Sequence, residues 1–145
     1  MNVSKTCEYA IRAMIFIAQK CRGGEKISAK NIAAGIDAPI YFTGKILQDM
    51  SNKGLVQSAK GPTGGFYLDE HSWHGSLADV ILAIDGADFF TKCGLGLKQC
   101  SESHPCPIHD SYKKIRNDMK NILGNARFET FVKKLDTNKT FLRSK

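Results

Sequence analysis

Three cysteines and two histidines lie within a single stretch of the sequence that also contains glycine and proline. Cys93 and Cys100 are separated by six residues, Cys100 and Cys106 by five, and His109 follows the last cysteine by three. Thiolates are the ligands of iron–sulfur clusters, and an irregular backbone lets several of them converge on one centre. With one imidazole, these side chains make up a set of four ligands.

Other chemistry is compatible with the same residues. Three cysteines and a histidine are also a known ligand set of structural zinc sites. Zinc ligands usually come as two closely spaced pairs, however, and the cysteines here are farther apart than that. A thiol switch and three unliganded surface cysteines are the remaining interpretations. Cys7 and Cys21 fall on a predicted helix, so we expect them to act as small apolar side chains.

The composition indicates the class of protein that carries this stretch. The chain of 145 residues has 21 Lys and Arg against 14 Asp and Glu, a formal charge of +7 that favours polyanions such as nucleic acid. Five cysteines, an odd number, without a secretion signal predict a cytoplasmic protein with no disulfide framework. No stretch approaches the ~20 apolar residues of a membrane span. The sequence contains no nucleophile elbow, phosphate loop or HExxH motif, so no motif predicts an enzyme.

The first half of the chain predicts three helices followed by a hairpin. Apolar residues at helical spacing predict helices over 4–21, 28–35 and 39–52. Residues 55–59 and 66–68 predict two short strands around a Gly/Pro turn. Three helices and such a hairpin are typical of a winged helix-turn-helix domain. The third helix is expected to bury the apolar side chains of Ile40, Phe42, Ile46, Leu47 and Met50.

The polar face of the third helix and the hairpin form a candidate DNA-reading surface. A helix in the major groove needs polar side chains that reach base edges, with basic or hydroxyl groups beside it for phosphates. Lys60 at the tip of the wing is placed to enter the minor groove or to pair with phosphate. The predicted DNA-binding residues are Tyr41, Thr43, Gly44, Lys45, Gln48, Lys60, Thr63 and Gly64.

The second half of the chain predicts a linker helix, a loop and a helix that needs a partner. A capping box at Ser76 and Asp79 opens a helix to about residue 85, and residues 86–107 are expected to form a loop without regular elements. A narrow apolar seam follows, with charged residues such as Arg116 outside it; its copy in a second subunit is the obvious cover. The predicted dimerisation residues are Ile108, Tyr112, Ile115, Met119 and Ile122. A last helix is expected to turn Phe128, Phe131, Val132 and Leu135 inward.

The predicted fold is therefore mainly α with a small β-hairpin wing: a winged helix-turn-helix plus a long dimerisation helix. Residues 1–75 are assigned to the DNA-binding domain, and residues 76–109 to the linker helix and the cysteine-rich cluster loop. Residues 108–145 are assigned to the dimerisation helix and to the C-terminal helix and tail.

Several motifs resemble the IscR/NsrR-type family of bacterial winged-helix regulators. They are SKTCEYAIRA (4–13), IYFTGKILQDMSNKGLV (40–56), KGPTGGFYL (60–68), LADVILAIDG (77–86) and CGLGLKQCSESHPCPIH (93–109). The resemblance covers nearly the whole chain, and the wing motif together with the three-cysteine loop is specific. It implies a transcription regulator that binds a palindrome-like operator in double-stranded DNA as a homodimer. Such a regulator senses redox state, nitric oxide or iron–sulfur status.

The resemblance also implies a ligand set for an iron–sulfur cluster, with a [2Fe-2S] cluster favoured and a [4Fe-4S] cluster as the alternative. We expect His109 to be the fourth ligand because of its spacing from the last cysteine. Glu8 is the alternative, since some relatives use an acidic residue at that position of the partner subunit, and His104 is a third candidate. The cysteine ligands that the resemblance implies are Cys93, Cys100 and Cys106.

Two departures from the family pattern concern operator preference. Gly44 and Lys45 stand where many members have Glu-Gln, and Lys60 stands where many have Arg.

The cluster loop directly precedes the dimer helix. The state of the cluster is therefore expected to change the spacing of the two recognition helices, which must reach major grooves ~34 Å apart. The alternatives are a winged-helix regulator without a cluster, controlled by a thiol switch or a protein partner, and a small thiol redox enzyme.

Overall fold

The computed structural model describes residues 1–144, and its helices and hairpin follow the predicted order. The DNA-binding half contains three helices and two strands: α1 Lys5–Lys20, α2 Ala29–Gly35, α3 Ile40–Asn52, β1 Gln57–Ala59 and β2 Gly65–Tyr67. The second half contains five helices: α4 Glu70–Trp73, α5 Leu77–Ile84, α6 Asp88–Thr91, α7 His109–Gly124 and α8 Phe128–Asp136. The prediction of a mainly helical chain with one small hairpin is confirmed.

The first helix, α1, is the centre of the core. Its N-terminus is capped by Ser4, whose hydroxyl accepts a hydrogen bond from the Cys7 N–H at 3.1 Å. Ala10, Met14 and Ile17 recur at helical spacing and are almost fully buried. Neighbouring helices α3, α5 and α8 pack against α1. The α1 helix therefore ties both halves of the chain together.

The helices α2 and α3 form the helix-turn-helix. Ile46, Leu47 and Met50 of α3 are buried as expected. Ile40 and Phe42 are not: 43% and 53% of their surface is exposed, so the prediction that they lie in the core is wrong. The first turn of α3 extends past the core, and among the aromatic rings only Tyr9 pairs with Phe42, at 6.2 Å between centroids.

The wing is anchored to the segment that precedes α2. Strands β1 and β2 pair antiparallel with Ser58 opposite Phe66, and Phe66 also bridges to Ile27. This close approach requires a glycine beside it: Gly65 has φ of 141°, and a Cβ on it would lie 2.8 Å from the Ile27 carbonyl oxygen. Gly65 of the wing motif is thus explained by backbone packing.

Two short helices were not predicted. The helix α4 follows the wing, with Asp69 as its cap, and α6 lies inside the stretch expected to be a loop. Phe90 of α6 is buried, so an apolar contact fixes this turn where the Gly and Pro content predicts none. The last helix, α8, buries Phe128 and Val132 as predicted and packs against α1. Within residues 1–144, no helix is both long and apolar enough to span a membrane.

Candidate functional site

The cysteine loop brings its predicted ligands together as two pairs. Cys93 is buried and lies close enough to Cys106 for the second thiol to lower its pKa. Cys100 lies beside His109, with 3.4 Å between its Sγ and the imidazole Nδ1. Within residues 1–144, no three His, Cys, Asp or Glu side chains are gathered closely enough to hold a single metal ion. The expectation that all four groups converge on one point is therefore not met, and two pairs take its place.

The backbone of the loop favours a thiolate at Cys93. The backbone N–H groups of Leu95 and Leu97, together with the neighbouring thiol of Cys106, lower the pKa of the Cys93 thiol below its usual range. A turn places these N–H groups, since the Gly96 N–H donates to the Cys93 carbonyl at 3.0 Å. Oriented N–H groups around a sulfur are also what stabilises cluster ligands.

His109 is a buried imidazole at the first position of α7, with only 5% of its surface exposed. Its Nε2 lies 3.3 Å from a carboxylate oxygen of Glu102 but outside hydrogen-bond geometry, so this buried ring nitrogen has no hydrogen-bond partner. A buried polar atom without a partner is rare and costs free energy. The other ring nitrogen, Nδ1, faces the Cys100 sulfur, so this imidazole fits a ligand role beside that cysteine.

Arg116 contacts the pair of Cys100 and His109 through the Cys100 sulfur. Its part in the site was not predicted from the sequence. The prediction that it lies outside on the seam helix is wrong, because it is 8% exposed. Its guanidinium donates to the carbonyls of Thr91 and Lys92 at 2.9 and 2.5 Å and to the Cys100 Sγ at 3.1 Å. The signal was present in the spacing, since Arg116 follows His109 by seven residues and so lies on the same face of α7.

The other candidate ligands lie elsewhere. His104 is exposed and its Nδ1 contacts the Ser103 hydroxyl at 3.1 Å. Glu8, on α1, pairs with Lys5 at 3.2 Å. Cys7 and Cys21 are buried as predicted, and burial raises the pKa of Cys7 to about 12. In this chain, only Cys93, Cys100, Cys106 and His109 of the candidate ligands contact one another as the two pairs.

A cavity of about 540 Å³ lies beside one cysteine of each pair. Cys93 and Cys100 both line it, beside the end of α6. The side chains of the two pairs are three thiols and one imidazole, and backbone N–H groups favour the thiolate of Cys93. This donor set fits an iron–sulfur cluster.

The predicted dimer seam divides into two parts. Ile108, Ile115 and Ile122, seven residues apart, have 40%, 54% and 67% of their surface exposed. Tyr112 and Met119, between them, are half-buried within the chain. One row of isoleucines is therefore left uncovered on α7.

The outward face of α3 carries most of the predicted DNA-binding residues. Tyr41 is 88% exposed, and Lys45 and Gln48 are exposed on the same face. Thr43 is different: it is 2% exposed, and its hydroxyl donates to the Pro39 carbonyl at 2.9 Å. The Thr43 hydroxyl thus bonds to a backbone carbonyl at the start of α3, and this side chain is not part of the candidate surface.

The candidate residues of the wing lie at its tip. Lys60 and Thr63 are exposed. Gly64 is half-buried, and a Cβ there would lie 2.2 Å from the Ala59 carbonyl oxygen, so its lack of a side chain is a packing requirement.

Gly44 has no such requirement. It lies inside α3, and a Cβ on it would meet no heavy atom within 4 Å. A glycine inside a helix costs about 1 kcal/mol relative to alanine.

The chain has the winged helix-turn-helix fold. Its structure is similar to CymR, the global cysteine regulator of B. subtilis, with a TM-score of 0.76 and 21% identity over 92% of this chain and 97% of that one. It is also similar to T. potens IscR, with a TM-score of 0.74 and 18% identity over 97% and 92% of the two chains.

The chain belongs to the Rrf2 family, whose profile, described as an iron-dependent transcriptional regulator, matches residues 3–134. It is 28% identical to an HTH-type transcriptional regulator of Aquifex aeolicus, over 91% of this chain and 92% of that protein. It is 25% identical to the HTH-type transcriptional regulator IscR of Xenorhabdus nematophila, over 92% and 80% of the two. The resemblance predicted from the motifs is confirmed, and the protein is a transcriptional regulator of this family.

Proposed function

We propose that this regulator binds operator DNA as a homodimer and that an iron–sulfur cluster in its cysteine loop controls the binding. The observation that carries the proposal is the arrangement of Cys93 with Cys106 and of Cys100 with His109, next to one shared cavity. Two ligand pairs match the two irons of a [2Fe-2S] cluster, each of which takes two protein ligands. Iron–sulfur status, redox state or nitric oxide is then the signal.

The residues of the loop have separate roles in this proposal. The cysteines and His109 hold the cluster, which supplies a redox-active and destructible group when it is bound. Backbone N–H groups favour the Cys93 thiolate, and Arg116 donates to the Cys100 sulfur. Since His109 is also the first residue of α7, a change at the loop acts directly on that helix. Coupling to DNA would follow through the spacing of the two recognition helices.

The proposed dimer interface is the exposed isoleucine row of α7, formed by Ile108, Ile115 and Ile122. Side chains seven residues apart form one stripe on a helix, and such a stripe packs against a copy of itself in a coiled-coil manner. Charged residues border the row, as expected at the edge of such a seam. A second subunit would cover the row without rearrangement of either chain.

The proposed DNA contacts are on α3 and the wing. In the major groove, Tyr41, Lys45 and Gln48 would reach base edges and phosphates, while Lys60 and Thr63 at the wing tip contact the neighbouring backbone or minor groove. The net charge of +7 assists binding through counterion release. A palindrome-like operator follows from the two-fold symmetry of a homodimer.

The cluster is tested on protein purified without oxygen, by visible absorption and by assay of iron and sulfide. We expect about two of each per subunit. Replacing Cys93, Cys100 or Cys106 with Ala should remove the colour, whereas Cys21→Ala, which changes a buried cysteine of the core, should retain it. Full iron content in the Cys100→Ala variant would overturn the ligand set, and four iron per subunit would favour a [4Fe-4S] cluster.

The fourth ligand is tested separately by His109→Ala and Glu8→Ala. His109 is proposed because its buried ring lies beside Cys100, whereas Glu8 pairs with Lys5 on another helix. We expect His109→Ala to retain a labile cluster with a shifted spectrum and potential, since an imidazole ligand raises the potential relative to thiolate. Glu8→Ala should leave both unchanged. The opposite result would place the fourth ligand across the dimer interface.

A thiol switch is the second candidate, favoured by the contact between Cys93 and Cys106. Oxidation by a peroxide would join the two sulfurs in a disulfide, with loss of two electrons and two protons to the peroxide. A colourless protein, free of iron after anaerobic purification, whose DNA affinity changes on oxidation would favour this candidate. Cys93→Ala and Cys106→Ala would then both lose the response, while Cys100→Ala would keep it.

A further inference from the structure

Gly44 is the one glycine in the described chain that lies in the interior of a helix. The other two glycines in helices, Gly35 and Gly124, are the last residues of α2 and α7. Gly35 is required by packing, because a Cβ there would lie 2.2 Å from the Phe16 ring. At Gly44 the added Cβ meets nothing, and its φ is not among the positive values of the chain. Alanine would stabilise α3 at this position, so nothing inside the chain accounts for the glycine.

The missing side chain leaves a notch on the outward face of α3. On a helix, residues three and four positions away are the neighbours of a side chain. On the N-terminal side of Gly44 these neighbours are Ile40 and Tyr41, which are 43% and 88% exposed. On its C-terminal side, Gln48 is an exposed neighbour. One wall of the notch is therefore apolar and open to solvent.

We propose that the notch at Gly44 receives the C5-methyl group of a thymine, and that Gly44 thereby sets operator preference. The inference rests on the proposed docking of α3 in the major groove. There the thymine methyl is the only apolar group that the four standard base pairs present. It suits a notch with the isoleucine and tyrosine as its wall. A glycine allows the helix backbone to approach the base pair closely at this point, which a Cβ would prevent.

The experiment combines a change in the protein with a change in the DNA. The DNA probe is a duplex that the parent protein selects from a randomised pool, remade with uracil in place of one thymine at a time. At one position in each half-site, uracil should weaken binding of the parent about fourfold, the value of one buried methyl group. Gly44→Ala should bind the thymine duplex at least tenfold more weakly. On the duplex with uracil at that position it should recover most of this loss, because its own methyl group fills the space.

Stability and a matched substitution complete the test. Gly44→Ala should raise the Tm by about 4 °C because it favours the helix, so weaker DNA binding cannot result from unfolding. Gly124→Ala, at another open position, should leave the affinity unchanged. The inference is overturned if Gly44→Ala binds the thymine duplex like the parent, or if no uracil position restores its binding. If the parent selects no sequence at all, the proposed DNA binding fails, and this inference fails with it.

Discussion

Arg116 is the residue that joins the cysteine loop, the short helix α6 and the seam helix α7. Its guanidinium donates to two carbonyls at the end of α6 and to the Cys100 sulfur. Those carbonyls have no other partner inside a four-residue helix. Arg116 therefore positions Cys100, whichever chemistry that cysteine carries out.

Arg116→Met keeps an unbranched apolar stem and removes the donors of the side chain. We expect a loss of about 1–3 kcal/mol in the free energy of unfolding, because the variant loses the hydrogen bonds from a buried guanidinium to two carbonyls and a sulfur. Cys100 should also become more accessible to alkylation in metal-free protein. Urea unfolding and mass spectrometry measure the two effects, with Lys114→Met on the exposed side of α7 as the control. Equal labelling of Cys100 in both variants would contradict the positioning role.

The cysteines differ in acidity, which predicts the pH dependence of their alkylation. The pKa of Cys93 is lowered by backbone N–H groups, and that of Cys7 is raised to about 12, chiefly by burial. Only the thiolate reacts, so a lower pKa moves the reactive form to lower pH. In metal-free protein, the alkylation rate of Cys93 should reach its midpoint below the ordinary thiol value of about 8.5. Cys7 should stay unlabelled up to pH 9 until urea unfolds the chain. A shared midpoint in the folded protein would show that the loop does not favour the Cys93 thiolate.

At the scale of elements, α3 and the wing form the proposed DNA-binding surface, and the wing is fixed to the chain before α2. The cations of this surface are Lys45 on α3 and Lys60 at the wing tip, and both are exposed. The pairing of Ile27 with Phe66 fixes the wing to the segment that precedes the helix-turn-helix. The two elements are therefore expected to bind DNA together.

Lys45→Ala and Lys60→Ala should each weaken operator binding without changing stability, since neither side chain is buried. Loss of one phosphate contact reduces the slope of log K against log salt by about one. Titrations at several salt concentrations measure this slope. Lys134→Ala, on the exposed face of α8, serves as the control. If all three variants bind alike, α3 and the wing are not the docking surface.

At the scale of the whole molecule, the chain folds with one apolar row left on its surface. Ile115 and Ile122 are more than half exposed in the single chain. Ile115→Asp or Ile122→Asp should therefore leave the monomer folded but dissociate the proposed dimer, because its interface would bury an unpaired carboxylate. Affinity for the operator should fall when the subunits dissociate, since a single recognition helix then binds alone.

Sedimentation velocity measures the dissociation, and Tm measures the fold. Lys114→Asp, which places the same charge beside the row, should remain dimeric. A dimer that survives both isoleucine substitutions would mean that another surface joins the subunits.

The sequence by itself determines the local elements and the types of chemistry in the chain. Capping residues and apolar spacing locate α1, α2, α3 and α7, and the paired glycines of the wing mark the hairpin. The three cysteines and His109 are recognisable because ligand chemistry depends on side-chain type and spacing. These features can be predicted since they depend on neighbours within a few residues.

Only the tertiary structure decides which side chains are covered and which ligands pair. Thr43, Ile40 and Arg116 have side chains whose type does not reveal their burial. Arg116 is buried because α6, some 25 residues earlier in the chain, offers carbonyls to it. Cys93 meets Cys106 and Cys100 meets His109 because the loop folds back on α7. Helical periodicity specifies the neighbours along one helix, but a covered face depends on elements distant in the chain, which no local pattern contains.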